Sequence, residues 1–375
     1  MRTLPLILIG ALCVLASCQV DTESGPDLRR QTLEELGQNV IMPMHLDFEA
    51  QTIALQEASR TLCADPSMEN LTAAQQAWND ARRPWKMMEI LAFGPYKEEP
   101  IRLGPKIDFW PVRPDTIADV MNGDSELSAD VLAALGAPAR GLPVVEVLLY
   151  SDNQLVPASD EATLLAFNEA DASVRRCEYL TAATEDLKNN ATALREAWDP
   201  EVGDFLGELV TAGEGSQTFR ELVDGVGEVA NRMAFTCENI RRDKLGKALG
   251  LQTDLTRQPE LLESHYSGRT AEDIADNLRG IEAFYLGAYG DNDGMGFSDY
   301  TKRRGLDLDQ RFYAQYDAAQ EALAAIPDPT SEALTTHPEE VEAPFDPLRE
   351  LQRLIQTDLL ESMGVSETFN DADGD

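Results

Sequence analysis

Residues 71–92 read Leu71-Thr-Ala-Ala74-Gln-Gln-Ala-Trp78-Asn-Asp-Ala81-Arg82-Arg83-Pro84-Trp85-Lys-Met-Met88-Glu89-Ile-Leu-Ala92. Leu71, Ala74, Trp78, Ala81, Trp85, Met88 and Ala92 are separated by alternating steps of three and four. That spacing puts them on one face of a helix, as the inward stripe of a bundle does. Pro84 lies inside the stripe and predicts a kink or a turn, since proline removes one helical donor and crowds the preceding turn. Gly94-Pro95 marks the end.

The same periodicity recurs outward from this stretch. Met44–Ala64 repeats apolar residues at helical spacing through Leu55, Ala58 and Leu62. Residues 159–198 predict one long helix through Cys177, Leu180, Thr184, Leu187, Ala191, Leu194 and Trp198. Further helices are expected at 222–240, 274–288, 306–326 and, interrupted by Pro344 and Pro347, 341–363. Between 94 and 141 glycine and proline leave only fragments near 116–121 and 129–135. So long a segment bounded by motifs reads as a functional insertion. Residues 203–215 read as a loop or broken helix, and Gly290–Gly296 as a glycine-rich turn. No stretch alternates with period two for long enough to predict a sheet. The expectation is an all-α protein.

The 375 residues exceed the roughly 250–300 at which one core stops growing, so two lobes are expected. They are placed at 37–200, carrying the insertion, and 201–366, with an acidic tail at 367–375. Gly141–Tyr150 and Gly280–Gly287 rhyme weakly, as in a duplicated bundle with a pocket between related lobes.

The N-terminus sets the expected compartment. A basic Met1-Arg2-Thr3, an apolar run and Leu15-Ala16-Ser17-Cys18 predict a lipoprotein signal over 1–17. Cys18 would carry acyl chains, each buried methylene contributing about 0.8 kcal/mol of anchoring. Residues 18–36 would be the tether. The expected location is the bacterial cell envelope, at the outer membrane facing the periplasm. The formal charge of −36 repels nucleic acid and anionic lipid. Export permits a disulfide; Cys63 with Cys177 is the expected pair, leaving Cys237 free.

Chemistry-bearing residues cluster around the opening stretch. Glu89 follows the stripe, Asp108 stands between Ile107 and Phe109-Trp110-Pro111, and Glu146 is embedded in Val144-Val145-Glu146-Val147-Leu148. A carboxylate in such surroundings is protonated, paired or bound to a cation. Paired, the partner would be Arg82 or Arg113. Cation-bound, an all-oxygen set points to iron or another hard cation. Trp78 and Trp85 read as core first and ligand platform second, and Trp110 is less constrained. Thr270 and Asp273 form a capping-box pattern, whereas Asn277 sits mid-helix without that excuse. His45, His265 and His337 show no ligand spacing, and zincin, P-loop and dinucleotide motifs are absent.

Taken together, these residues resemble the imelysin family of exported or lipid-anchored bacterial proteins. They are Trp78, Ala81-Arg82, Trp85, Glu89, Phe93-Gly94-Pro95, Ile107-Asp108, Trp110-Pro111, Gly141–Tyr150 and Ser264-x-x-Ser267-x-x-Thr270-x-x-Asp273-x-x-x-Asn277, with Gly280 and Gly287. The resemblance implies two helical bundles around a pocket lined by Arg82, Trp85, Trp110, Pro143, Ser267, Asp273 and Asn277. It also implies a metal site drawn from Glu146, Glu89 and Asp108. Family members are described as peptidases or tied to iron acquisition, which implies iron-uptake partner proteins. The family hallmark G-x-H-x-x-E reads Gly141-Leu-Pro143-Val-Val-Glu146 here, with proline in the histidine position. The loss of that imidazole favours a non-enzymatic binding protein for a metal or metal complex over a metallopeptidase. A scaffold with a degenerate pocket is the third expectation.

Overall fold

A computed structural model describes residues 27–169 and 172–368; the expected signal segment and Cys18 lie outside them. The principal helices are α1 (Leu28–Leu36), α2 (Met42–Ala64), α3 (Met68–Met88), α4 (Leu142–Tyr150), α5 (Ala172–Trp198), α6 (Leu222–Asn239), α7 (Thr270–Leu286), α8 (Asp309–Ala324) and α9 (Phe345–Leu354). The fold is all-α. Among the described residues the strands are β1 (Ala288–Tyr289) and β2 (Asn292–Asp293), a two-residue antiparallel hairpin where the sequence reads a glycine-rich turn.

Helix α3 is the organising element. Its first turn is capped by the Ser67 hydroxyl, which accepts the Asn70 N–H at 3.3 Å, supplying a partner to a first-turn amide that has none in the helix. Leu71, Ala74, Trp78, Ala81, Trp85 and Met88 are all buried, as the stripe predicts. Truncating such a tryptophan to alanine costs about 3–5 kcal/mol. The helix runs on through Pro84 to Met88 without a break, with the Pro84 ring itself buried among the core side chains.

Around α3 the packing falls into two groups. Helices α2, α3 and α5 form one, and α6, α7, α8 and α9 pack together in the other, with α7 laid against α3 to join them. Gly280 of α7 makes that crossing close, because a Cβ there would stand 2.3 Å from the Met87 carbonyl oxygen. One contiguous apolar core runs through both groups.

Two local readings change. Residues 28–36, expected within the tether, form α1 with Leu33 and Leu36 fully buried; the polar majority of its residues hides two anchoring leucines. The helix expected over 159–198 is two, Asp160–Ala166 and α5. Asn168 donates its side-chain amide to the Leu164 carbonyl at 3.0 Å, a local bond of the kind that competes with helix continuation. The insertion's helical fragments lie at Pro114–Asn122 and Ala129–Leu135, where they were expected, with further short turns at Gly104–Ile107 and Ala137–Ala139, and the stretch 203–215 holds a short helix at Phe205–Val210. Cys63 and Cys177 are bonded, with Cα atoms 5.5 Å apart, tying the end of α2 to α5, and Cys237 is a buried free thiol.

Candidate functional site

Arg82, Lys86 and Glu89 follow one another at helical spacing on the side of α3 that meets the second group of helices. The fully buried Lys86 ammonium donates to Glu89 Oε1 at 2.5 Å, Asp108 Oδ2 at 3.0 Å and Glu263 Oε2 at 3.0 Å, using all three of its donors. Arg82 lies 2.8 Å from Asp108 Oδ2 through Nη1, and donates from Nε to Asp273 Oδ2 at 2.9 Å. Trp85 Nε1 also donates to Asp108 Oδ2, at 2.7 Å. Lys244 completes the cluster from beyond α6, reaching Glu89 Oε2 at 2.6 Å and Glu263 Oε2 at 2.9 Å.

On the other side, α7 supplies Asp273, Asp276 and Asn277, all buried. Asp273 accepts from Arg82, from the Ser264 hydroxyl and from Arg269 Nη1. Asn277 donates to the Lys86 carbonyl and to Glu89 Oε2, each at 2.7 Å, which answers why an asparagine sits mid-helix. The capping box expected from Thr270 and Asp273 does not form. Thr270 instead donates its hydroxyl to the Glu263 carbonyl at 2.5 Å, and Asp273 is drawn inward by the arginines.

Four cations, Arg82, Lys86, Lys244 and Arg269, thus face four carboxylates, Glu89, Asp108, Glu263 and Asp273. Burial disfavours the ionised acids, but the adjacent charges win. Arg82 and Lys86 hold Asp108 well below the usual carboxylate range against its desolvation. Against the same desolvation, Lys244 and Lys86 lower Glu89, and Arg82 and Arg269 lower Asp273. Lys86, desolvated and repelled by Arg82, is nonetheless raised by Asp108, Glu263 and Glu89. Asp108 Oδ1 and Asn277 Oδ1 are buried acceptors with no hydrogen bond among the described residues.

Glu146 stands apart from this balance. Only 2 % exposed, it presents Oε1 to both the backbone N–H and the hydroxyl of Ser267, each at 2.8 Å. Desolvation prevails over these bonds and over the more distant Arg82, pushing the carboxyl up to about 7. Its helix, α4, is preceded by Gly141 at the N-cap, which has φ 84° and where an added Cβ would meet the Ile107 carbonyl oxygen at 2.4 Å. Glycine there lets the Ile107-Asp108 segment lie against the start of α4. Pro143 occupies the buried first turn, where a missing N–H removes no helical bond. Ser267, which holds this carboxylate, also lines a cavity of about 450 Å³ together with Asn79, Tyr150, Arg269, Glu272 and Asp328; Glu146 is not part of that lining.

The expected site residues therefore divide. Arg82, Trp85, Glu89, Asp108, Asp273 and Asn277 form one buried network, with Glu146 and Ser267 as its neighbours. Trp110 is outside it, half-buried, with the Lys247 ammonium 5.9 Å from its ring centre. Lys86, Glu263, Lys244 and Arg269 were missed. Lys86 had a legible signal, a lysine four residues after Arg82 on the buried flank of α3; Lys244 and Glu263 had none, being brought in only by tertiary folding. Among the described residues, no group of three or more His, Cys, Asp or Glu side chains is arranged to hold a metal ion. Glu89 and Asp108 are committed to ammonium and guanidinium groups, so the expected set with Glu146 does not fit a bare hard cation. His45 is buried against Trp198, and desolvation depresses it to about 4; its Nδ1 is hydrogen-bonded to the Ile41 carbonyl.

The family model for imelysin matches residues 41–355, a span that takes in every helix described above except α1. The chain belongs to the imelysin family. Iron-regulated protein A of Synechococcus elongatus is 25 % identical over 305 residues, covering 80 % of this chain and 77 % of that protein. Two solved structures share the fold, each with a TM-score of 0.71 at 19 % identity. One is an imelysin-like protein from Psychrobacter arcticum, covering 91 % of this chain and 97 % of that one. The other, from Parabacteroides distasonis, was proposed to be an iron-regulated protein A precursor and covers 89 % and 95 %. In this imelysin-family chain the G-x-H-x-x-E position carries Gly141, Pro143 and Glu146.

Proposed function

We propose that this imelysin-family protein is a lipid-anchored envelope component of iron uptake that binds a metal complex and catalyses nothing. The observation that carries the reading is the pairing of Glu89 and Asp108 with Lys86, Lys244 and Arg82. A bare cation would have to displace buried positive charges and leave them unpaired, at a cost of several kcal/mol. A complex brings its own ligands and needs only shape, hydrogen bonds and modest charge from the protein. The kinship with iron-regulated protein A supplies the link to iron, and Pro143 takes away the imidazole that a metallopeptidase of this family would use.

The test is calorimetric titration of the purified protein with ferric citrate and, separately, with weakly complexed ferric and divalent ions. The reading expects binding of the complex and none of the bare ions. The competing peptidase reading has one observation in its favour, a buried Glu146 carboxyl near pH 7, suited to general-base work. Chelator-sensitive cleavage of unfolded peptides that Glu146→Gln abolishes would establish it. Anchoring through Cys18 is checked by mass spectrometry of the mature N-terminus in outer-membrane fractions, which should show an acylated cysteine.

A further inference from the structure

A π-helical turn, Gly37–Ile41, joins α1 to α2, so the backbone runs helically from Leu28 to Ala64. At about 1.5 Å per residue its two ends stand on the order of 50 Å apart. The far end carries the Cys63–Cys177 disulfide, which shares a cavity wall with the 61 % exposed Val174. At the near end, the helix Phe297–Arg303 and the segment 362–364 come alongside α1. Arg303 Nη1 donates to Gln31 Oε1 at 3.2 Å, and Arg29 Nη1 to the Met363 carbonyl at 3.1 Å. The Tyr300 hydroxyl donates to the Ser362 carbonyl at 2.9 Å.

The charges of this pole set it apart. The chain has 31 lysines and arginines against 67 acids, and Lys302-Arg303-Arg304 is its longest run of consecutive cations. The fold sets that run beside Arg29 and Arg30. Arg29 is paired with Asp27 at 2.6 Å, Arg30 with Glu214 at 3.2 Å and Lys302 with Asp309 at 2.7 Å. Arg303 is bonded only to the neutral Gln31. Arg304, exposed, shares a cavity wall with Asp27 and the exposed Glu361 but forms no ion pair with either among the described residues. Directly after it Gly305 turns the chain at φ 74°, and Leu306, 41 % exposed, protrudes ahead of the exposed Asp307. Guanidinium groups, carboxylates and one apolar side chain are thus open to solvent side by side.

We propose that this pole rests on a bilayer of zwitterionic phospholipid. Arg303 and Arg304 meet headgroup phosphates, which match the planar guanidinium fork. Glu361 and Asp307 meet headgroup ammonium groups, and Leu306 reaches the acyl boundary, as apolar side chains of interfacial segments do. A bilayer of anionic lipid would be opposed by the net charge of −36; a zwitterionic one carries no such penalty. The tether agrees with this orientation. Cys18 precedes Asp27 by 27 − 18 = 9 residues, at most roughly 30 Å of extended chain. An acyl anchor on Cys18 therefore holds this pole to the bilayer and leaves the disulfide end far from it. That link rests on the lipid anchor under Proposed function; the fit of the pole to zwitterionic headgroups does not.

Hydroxyl-radical footprinting read by mass spectrometry tests this on the whole mature chain, with Cys18 coupled to a maleimide lipid in phosphatidylethanolamine–phosphatidylcholine vesicles. Oxidation of Leu306 should fall several-fold on coupling, while that of Val174 stays unchanged. Arg303→Glu/Arg304→Glu should restore Leu306 oxidation in a protein that still melts as a folded one. Phosphatidylglycerol vesicles should protect Leu306 less. Leu306 left unprotected, protection that survives the double variant, equal protection of Val174, or protection on phosphatidylglycerol as strong as on the zwitterionic lipids overturns the proposal. Coupling installs the anchor chemically, so an unacylated native N-terminus would sink the lipoprotein reading and leave the headgroup result standing.

Discussion

The Lys86 ammonium and the Asp108 carboxylate meet at 3.0 Å, one from the core helix and the other from the glycine- and proline-rich insertion. Neither is accessible, and Lys86 simultaneously holds Glu89 and Glu263. A single buried cation thereby joins α3, the insertion and the segment preceding α7. Removing it leaves three carboxylates short of a partner. Lys86→Met should lower unfolding free energy by about 3–5 kcal/mol, measured by urea denaturation; a loss below about 1 kcal/mol would show that the network contributes little.

Stability should depend on pH from two opposite directions. Glu146 is raised in the fold from 4.5 to about 7, so the folded state holds that proton more tightly than the unfolded chain. Its contribution is full below about pH 4.5 and is lost as pH rises to about 7. Asp108, Glu89 and Asp273 are depressed; their contribution is present above the unfolded carboxylate range and disappears in acid. The combined expectation is a maximum near pH 5. Glu146→Gln keeps an acceptor for Ser267 and should flatten the decline between pH 5 and 7. At pH 8 it should gain on the order of 2–3 kcal/mol. An unaltered pH profile in the variant would refute the assignment.

How much of this was legible beforehand depends on the range of the forces involved. The α3 stripe, the insertion fragments and the lack of an extended sheet among the described residues were readable because periodicity is local. Trp78 and Trp85 were placed in the core by spacing alone. Asp108 was legible as a buried acid with Arg82 as one of two possible partners, since its neighbours are apolar. The hub itself was not. Lys244 and Glu263 approach Lys86 from far along the chain, and no local pattern encodes a meeting made by tertiary packing. Similarly, α1 looked like a polar tether because Leu33 and Leu36 are buried where α1 packs on α6 and on the helices Phe205–Val210 and Phe297–Arg303, elements far along the chain.

The disulfide gives a stability prediction independent of the charge network. Cys63 and Cys177 close a loop with a sequence separation of 114, for which chain entropy predicts at most about 4–5 kcal/mol. Cys63→Ser/Cys177→Ser should destabilise by a few kcal/mol in thermal melts. Cys237 is fully buried, and desolvation pushes its thiol up to about 12. It should stay unreactive towards thiol reagents until the protein unfolds. Rapid labelling of the native protein would contradict this burial.

Gly280 should tolerate no side chain. With a Cβ only 2.3 Å from the Met87 carbonyl, Gly280→Ala must push α7 off α3, where backbone rather than a flexible side chain blocks the way. Overpacking of this kind costs about 1–3 kcal/mol. It should also disturb Asn277 and Asp273 on the same helix, weakening any ligand held between α3 and α7. A variant of wild-type stability would show that the crossing can relax.

The central claim is that this imelysin-family protein takes up a metal complex, its own buried acids being spent on lysine and arginine. The most direct measurement is paired titration of the metal-free protein with ferric citrate and with ferric ion presented in a weak chelator. Saturable, near-stoichiometric binding of the complex, with the weakly held ion left in its chelator, is the predicted result. Tight transfer of bare iron to the protein, abolished by neutralising Glu89, Asp108 and Glu146 together, would contradict it.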